Sequence, residues 1–305
     1  LRGAAASRGN AAYYYIFHDG WCYARNPAIL AAYPTPELQG TFGLAAAQLD
    51  AAIARFPKEP EITSSEDGSL ILKSGRLRTT LVPVFVDPPE DINVDTWQQV
   101  PTDFIDALKI VVPFLAKEGT WQRAVRFHQN TLTALNQRSA VEVTVADLDA
   151  PEALVSDEFA AYLIKLTESP TKIAFINGAI LCQWSNGAWA KAQLLNFEWP
   201  ASADKVMSLA GDVAPIQITD EWREAFKDVA ALSDGQIQIC PDGLKGRLAS
   251  MSVDIEFAIG VTRPSKWVVE VLEPMFKVAE RWNPDGEITA SFLGKNLRGV
   301  VASLR

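Results

Sequence analysis

Three stretches of this chain repeat one order of local signals: a short amphipathic helix, a proline, then three strands joined by tight turns. Repetition at this scale constrains the fold more than any single motif does. In the first stretch, "TFGLAAAQLDAAIARFPKEP" places Leu49, Ile53 and Phe56 on one helical face, and Pro57 and Pro60 stop it. "EITSSEDG", "SLILKSG" and "RLRTTLVPVFV" then read as strands, with Asp-Gly and Ser-Gly at the turns, where glycine accepts positive φ without a steric cost. In the second, "SDEFAAYLIKLTESP" offers Ser156 as N-cap, acidic residues in the first turn, and a stripe of Phe159, Leu163 and Leu166 ended by Pro170. "TKIAFING", "AILCQWSNG" and "AWAKAQLLNFEWP" follow as strands. The third, from "SKWVVEVLEP" to "RGVVASLR", gives a helix striped by Trp267, Val271 and Leu272, a stop or kink at Pro274, and three more strands.

Each stretch is preceded by a matching half. "PTDFIDALKIVV" carries Phe104, Leu108 and Val111 on one face, and "ITDEWREAFKDVAAL" carries Trp222, Phe226 and Val229 with Thr219 as N-cap. Both lead into strand-like segments. "LRGAAASRGN" reads as the tail of a corresponding first helix, before "AAYYYIFHDG" and "WCYARNP". The expectation is an α+β chain of six helix-plus-antiparallel-sheet modules, paired into three domains: 1–87, 88–199 and 200–305. The first domain reads as lacking an N-terminal strand and part of its first helix, and the missing initiator Met suggests residues upstream of Leu1.

Composition removes several classes of function. Nearly half of the 305 residues are hydrophobic, yet no apolar run reaches the roughly 18 residues that cross a bilayer. Cys22, Cys182 and Cys240 are too scattered for a metal or redox motif and read as buried thiols of a cytoplasmic protein. His18 and His128 are the only histidines, and neither has metal-ligand spacing. His18 and Asp19, read as strand neighbours, point to opposite faces and form no dyad. Glycine-rich phosphate loops and nucleophile elbows do not occur, so no catalytic residue, cofactor or metal is expected. The net charge of −9 disfavours a protein that coats nucleic acid by neutralising phosphates. Of the nine tryptophans, Trp222 and Trp267 are taken as core. A β-rich structural or carbohydrate-binding protein of a virus or cell surface is the alternative that the repeat leaves open.

The order of modules resembles the DNA polymerase sliding clamps of the three-domain bacterial β type, over essentially the whole chain after residue 10. "DGSLILKSGRLRTTL" is similar to the strand pair that closes that family's first domain. "TLTALNQRSA" stands where the family has a strand leading into its partner pocket, and "RGVVASLR" ends as a hydrophobic strand, as the family does. The second-domain turn, which in the family carries an acidic residue, glycine and a basic pair, here reads Asn136, Gln137, Arg138, Ser139. Where the family's tail often has methionine and proline, Ala302, Ser303 and Leu304 stand here. These departures fit a divergent, bacteriophage-encoded clamp.

The resemblance implies a non-enzymatic head-to-tail homodimeric ring in the bacterial cytoplasm, with helices lining the hole and sheets forming the outer wall. It would encircle double-stranded DNA without sequence preference, and meet a clamp loader and a replicative polymerase. Topological retention needs only weak attraction, so an acidic chain is admissible. The helix faces opposite the apolar stripes supply Arg55, Lys58, Lys109, Lys117, Lys165, Lys172, Arg223, Lys227, Lys277 and Arg281 as DNA-facing candidates. Ordinary solvated helix faces account for the same residues, since acidic side chains accompany them. For the partner-peptide pocket the resemblance implies Leu135, Met207, Leu209, Val300, Ala302 and Leu304.

Overall fold

The computed structural model describes residue 4 and residues 13–66, 68–89, 92–211, 214–257, 260–284 and 289–304. The expected first-helix tail therefore falls largely outside the described residues. The chain divides into two compact units, 1–100 with 161–194, and 101–160 with 195–305. Among the described residues there are six α-helices: α1 (Ala46–Ile53), α2 (Phe104–Val111), α3 (Asp157–Lys165), α4 (Ala201–Met207), α5 (Asp220–Ala231) and α6 (Val269–Val278). None is long and apolar enough to cross a membrane.

Three strands follow α3 and α6, as the repeat predicts; a fourth is added after α1, α2 and α5, and only Ile216–Gln217 follows α4. After α2 come Ala124–Gln129, Thr131–Leu135 and Ser139–Thr144, and after α3 come Lys172–Ile176, Ala179–Gln183 and Trp189–Gln193. The hairpin turns obey their residue chemistry: Asn177 and Gly178 have φ of 47° and 71°, the two positive values of a tight I′ turn. Helix caps do likewise. The Ser156 hydroxyl accepts from Phe159 N–H at 3.3 Å, and the Thr219 hydroxyl accepts from Trp222 N–H at 3.3 Å.

In the first unit one eight-stranded antiparallel sheet runs in the order Thr41–Ala45, Tyr14–His18, Trp21–Arg25, Ile29–Pro34, Trp189–Gln193, Ala179–Gln183, Lys172–Ile176, Gln98–Gln99. Its middle is a seam where Trp189 faces Ala32 and Ala190 faces Ala31. A separate three-stranded sheet holds Glu61–Ser64, Leu70–Ser74 and Leu77–Leu81. The second unit repeats the plan. Its eight-stranded sheet runs Ala150–Ser156, Ala124–Gln129, Thr131–Leu135, Ser139–Thr144, Leu297–Ala302, Thr289–Gly294, Arg281–Asn283, Ile216–Gln217. There the seam pairs Glu142 with Arg298 and Ala140 with Val300. A four-stranded sheet follows the order Met251–Glu256, Gly243–Leu248, Gln236–Cys240, Ser265–Val268.

Helix stripes supply the cores. Phe104, Leu108 and Val111 of α2 are fully buried, and Phe104 meets Phe127 at 6.1 Å. Trp222 of α5 sits against Phe276 and Trp282 at 5.6 and 5.3 Å.

Four sequence expectations need correction. Trp267 is buried, but on the strand Ser265–Val268; the helix starts only at Val269 and runs through Pro274. Pro274 removes one helical hydrogen bond, and burial of Leu272, Met275 and Phe276 on either side holds the helix together. On α1 the buried face is Ala46, Leu49 and Ala52; Ile53 is half-exposed and Phe56 lies past the helix end. Ile53 and Phe56 instead line a cavity of about 690 Å³ with Phe17, Leu44 and Leu72. The strand expected through "RLRTTLVPVFV" stops at Leu81, because Pro83 lacks an N–H; Val84 makes only an isolated bridge to Gly43. Finally, His18 and Asp19 do approach, Nε2 to Oδ2 at 3.5 Å, because Asp19 is a turn residue with φ of 46° and not the next residue of a strand. The contact lies at an exposed turn, and His18 Nδ1 is 2.7 Å from the Thr41 hydroxyl.

Candidate nucleic-acid and partner-binding surfaces

Of the ten cations expected on helix faces, five are helical: Lys109, Lys165, Arg223, Lys227 and Lys277. Arg55, Lys58 and Lys117 lie in the turns after α1 and α2, where prolines end the helical run. Lys172 and Arg281 open strands. Several are already engaged. Lys109 is 2.8 Å from Asp106, Lys277 is 2.8 Å from Glu273, and Lys117 pairs with Glu270. All six partners are exposed, so these pairs add little to stability. Arg223 serves the fold itself. Its guanidinium donates to the Phe276 carbonyl, and to that of Ala279 at 2.9 Å, satisfying the open C-terminal end of α6. Lys165 and Lys227 are exposed and form no ion pair among the described residues. The helices thus carry a dispersed, partly neutralised set of cations.

The pocket candidates divide differently. Leu135, Met207 and Val300 belong to one buried cluster, completed by Ala140, Ala203 and Ala210. Four elements build it: the end of the strand Thr131–Leu135, the two seam strands Ser139–Thr144 and Leu297–Ala302, and α4 with the turn that follows it. Helix α4 was not legible beforehand, because a seven-residue "ASADKVM" has too short a stripe to register. Leu209 is more than half exposed and stands outside the cluster. Ala302 ends the seam strand, and Leu304 bridges to Lys266.

Sequence reasoning missed the groups that close this cluster. Trp121 and Trp199 are packed against it, half-buried, with ring centroids 5.5 Å apart and nearly perpendicular. The Arg126 guanidinium lies 5.0 Å from the Trp199 ring centre. It donates to Asp204 at 2.7 Å and to both oxygens of Glu152 at 2.8 and 3.0 Å. Trp199 Nε1–H donates to the same Asp204 oxygen at 3.0 Å. His128, on the same strand as Arg126, is 2.8 Å from Glu152.

A third feature is a pair of strand edges. In each eight-stranded sheet the seam joins the third strands of two modules. The third strand after α1, Leu77–Leu81, and the third after α5, Met251–Glu256, each end their own sheet, with no strand paired to the outer edge among the described residues. Both edges are largely exposed, with Arg78 on one and Asp254 and Glu256 on the other. A signal for this was present in the sequence: Leu77-Arg78 and Leu297-Arg298 occupy the same place in their hairpins.

No protein-family model matches the sequence, and no curated protein matches it either. The fold, in contrast, matches solved structures along the whole chain. The DNA polymerase III β chain of Streptococcus pneumoniae superposes with a TM-score of 0.82 at 13% identity, covering 100% of this chain and 95% of that one. The β subunit of Thermotoga maritima gives 0.79 at 15% identity, with 100% and 95% covered. The DNA polymerase sliding clamp of Bacillus subtilis gives 0.78 at 15%, with 99% and 94% covered. Repeated modules, seamed sheets and full-length superposition lead to one conclusion: this chain has the fold of the bacterial DNA polymerase III β sliding clamps.

Proposed function

We propose that this protein is a DNA sliding clamp: a non-enzymatic, head-to-tail homodimeric ring that encircles duplex DNA in the bacterial cytoplasm and tethers a replicative polymerase. The three-domain division at 87/88 and 199/200 belongs to this reading. The observation that carries it is the seam rule. Within each domain, let the first module be a and the second b. The third strand of module a in domain 1 pairs with that of module b in domain 2, and module a of domain 2 pairs with module b of domain 3. Module a of domain 3 and module b of domain 1 are left over, with Met251–Glu256 and Leu77–Leu81 as their free edges. The same rule applied once more joins the last domain of one copy to the first domain of another, which is head-to-tail by construction of the repeat. Free edges of this kind otherwise invite uncontrolled pairing.

An acidic chain suits such a ring. Retention by topology does not require the many phosphate contacts that make binding salt-sensitive. The dispersed cations, Lys165 and Lys227 among them, supply weak attraction without fixed contacts. The cluster of Leu135, Met207 and Val300 is the candidate seat for the apolar tails of the polymerase and of a clamp loader.

Retention on DNA tests this reading. The mass in solution should be twice 33.4 kDa, and the loaded protein should stay on nicked circular DNA while leaving linear DNA from its ends. Equal loss from circular and linear DNA would refute the ring.

A further inference from the structure

The cluster of Leu135, Ala140, Met207 and Val300 is closed in this structure. What closes it, together with Trp121, is Trp199, from the stretch 194–200, which has neither helix nor strand. Side-chain contacts hold this residue: the edge of Trp121, the guanidinium of Arg126 and one carboxylate oxygen of Asp204. Arg126 is itself held rigidly, with a side chain only 16% exposed and three charge-assisted bonds to Glu152 and Asp204. A preorganised cation under an aromatic face, beside a perpendicular indole and an apolar floor, is a receptor for an aromatic side chain. Its present occupant stands between the bond from Leu195 N–H to the Leu154 carbonyl and the first turn of α4, on a stretch that belongs to no strand or helix.

We propose that Trp199 is a tethered stand-in for an aromatic residue of a partner peptide, and that the partner binds by displacing it. This rests on the reading that the cluster under α4 receives a partner tail, and it names the chemistry of that tail. An aromatic ring takes the place of the Trp199 indole over Arg126, and a neighbouring aliphatic side chain reaches the floor of Leu135, Met207 and Val300. A ring donor N–H or O–H adds the bond to Asp204. Because the tether gives the indole an effective concentration on the order of millimolar, a free peptide competes only when it supplies the aliphatic contact as well. The cover thereby excludes stray aromatic groups and admits bipartite tails.

The test uses the full chain and a labelled, acetylated octapeptide copying residues 196–203, Asn-Phe-Glu-Trp-Pro-Ala-Ser-Ala. Binding is read by fluorescence anisotropy against the unaltered protein and against Trp199→Ala. The variant should bind the octapeptide at least tenfold more tightly than the unaltered protein does, and a peptide with alanine for tryptophan should bind neither. Asp204→Asn, which keeps the ring but weakens its latch, should fall between the two. Equal binding to both proteins overturns the proposal. So does absence of binding to a Trp199→Ala protein whose thermal melt shows it folded. Retention of the unaltered protein on circular DNA tests the underlying clamp reading separately.

Discussion

The free edges make a prediction sharp enough to locate one ion pair. In the second-unit seam, Leu297 closes its hairpin against Gly294, so Arg298 is the second residue of its strand. Across the seam, Ser139 closes its hairpin against Asn136, so Glu142 is the fourth. Second faces fourth, and Arg298 Nε donates to Glu142 at 2.9 Å. The first-unit seam keeps that count: Trp189, next after Ala188 at the hairpin end, faces Ala32, fourth from Ile29. On the free edges Leu77 closes against Ser74 and Met251 against Leu248, so the second residue is Arg78 and the fourth is Asp254. Two copies should therefore pair Arg78 of one with Asp254 of the other, flanked by Thr79 facing Val253 and Thr80 facing Ser252. Arg78 also stands opposite Lys73 in its own sheet, a repulsion that an acidic neighbour relieves.

An exposed cross-strand pair is worth about 0.2–1 kcal/mol, and reversing one partner converts attraction into repulsion of similar size. A two-copy ring contains the pair twice, so Arg78→Glu or Asp254→Arg should cost about 1–4 kcal/mol of association. That weakens dimerisation by about fivefold to about a thousandfold. The double reversal should restore most of it. Sedimentation over a range of protein concentrations measures the dissociation constants, and circular dichroism checks that each variant is folded. If the single reversals leave the dimer unchanged, or the double variant is no better than the worse single, the two edges do not meet in this register.

Gly299→Ala should be costly, because a Cβ there would lie 2.1 Å from Phe292 Cζ and 2.6 Å from the Ala140 carbonyl oxygen across the seam. Overpacking costs typically 1–3 kcal/mol, and the backbone atom cannot step aside without breaking the ladder, so a loss of about 3 kcal/mol is expected in urea unfolding; an unchanged midpoint would count against the seam geometry. Thr219→Ala removes the acceptor for Trp222 N–H and should cost about 1 kcal/mol, read in the same assay. Burial pushes the Cys22 thiol up to about 12 from 9.0, and raises those of Cys182 and Cys240. In the folded chain Cys22 keeps its proton where the unfolded chain has lost it, so the folded state binds more protons between pH 9 and 12. Its contribution is complete below pH 9 and falls away as pH rises toward 12; Cys22→Ala should flatten this alkaline decline in stability. Rapid reaction of the native thiols with Ellman's reagent at pH 8 would contradict their burial.

Helix stripes and turns were legible in the sequence wherever a local rule was sufficient. Phe104, Leu108 and Val111 recur at helical spacing and are fully buried, and Asn177-Gly178 demanded its turn. Trp267 misled because a buried strand residue and a buried helix residue look alike next to a helix start, and its partners Gln236–Ile239 lie about thirty residues away. The seams were beyond local reading: alternation in Ser139–Thr144 tells which side chains are buried, not that the neighbour is Leu297–Ala302. For the candidate site the hydrophobic floor was half legible, through Leu135, Met207 and Val300. Its cover was not, because Trp121, Arg126, Trp199 and Asp204 are brought together by tertiary structure alone.

The seams also bear on how such a chain could be dissected. Cutting at residue 199 severs the chain where the sequence looks like a linker, yet strands 139–144 and 297–302 on either side of the cut share a five-residue ladder. Each fragment would carry a freshly bared hydrophobic strand, with Val141 and Val143 on one and Val300 and Val301 on the other, all buried in the intact chain. Such pieces should aggregate when made separately and reassociate when made together, so this protein is better divided by complementation than by excision.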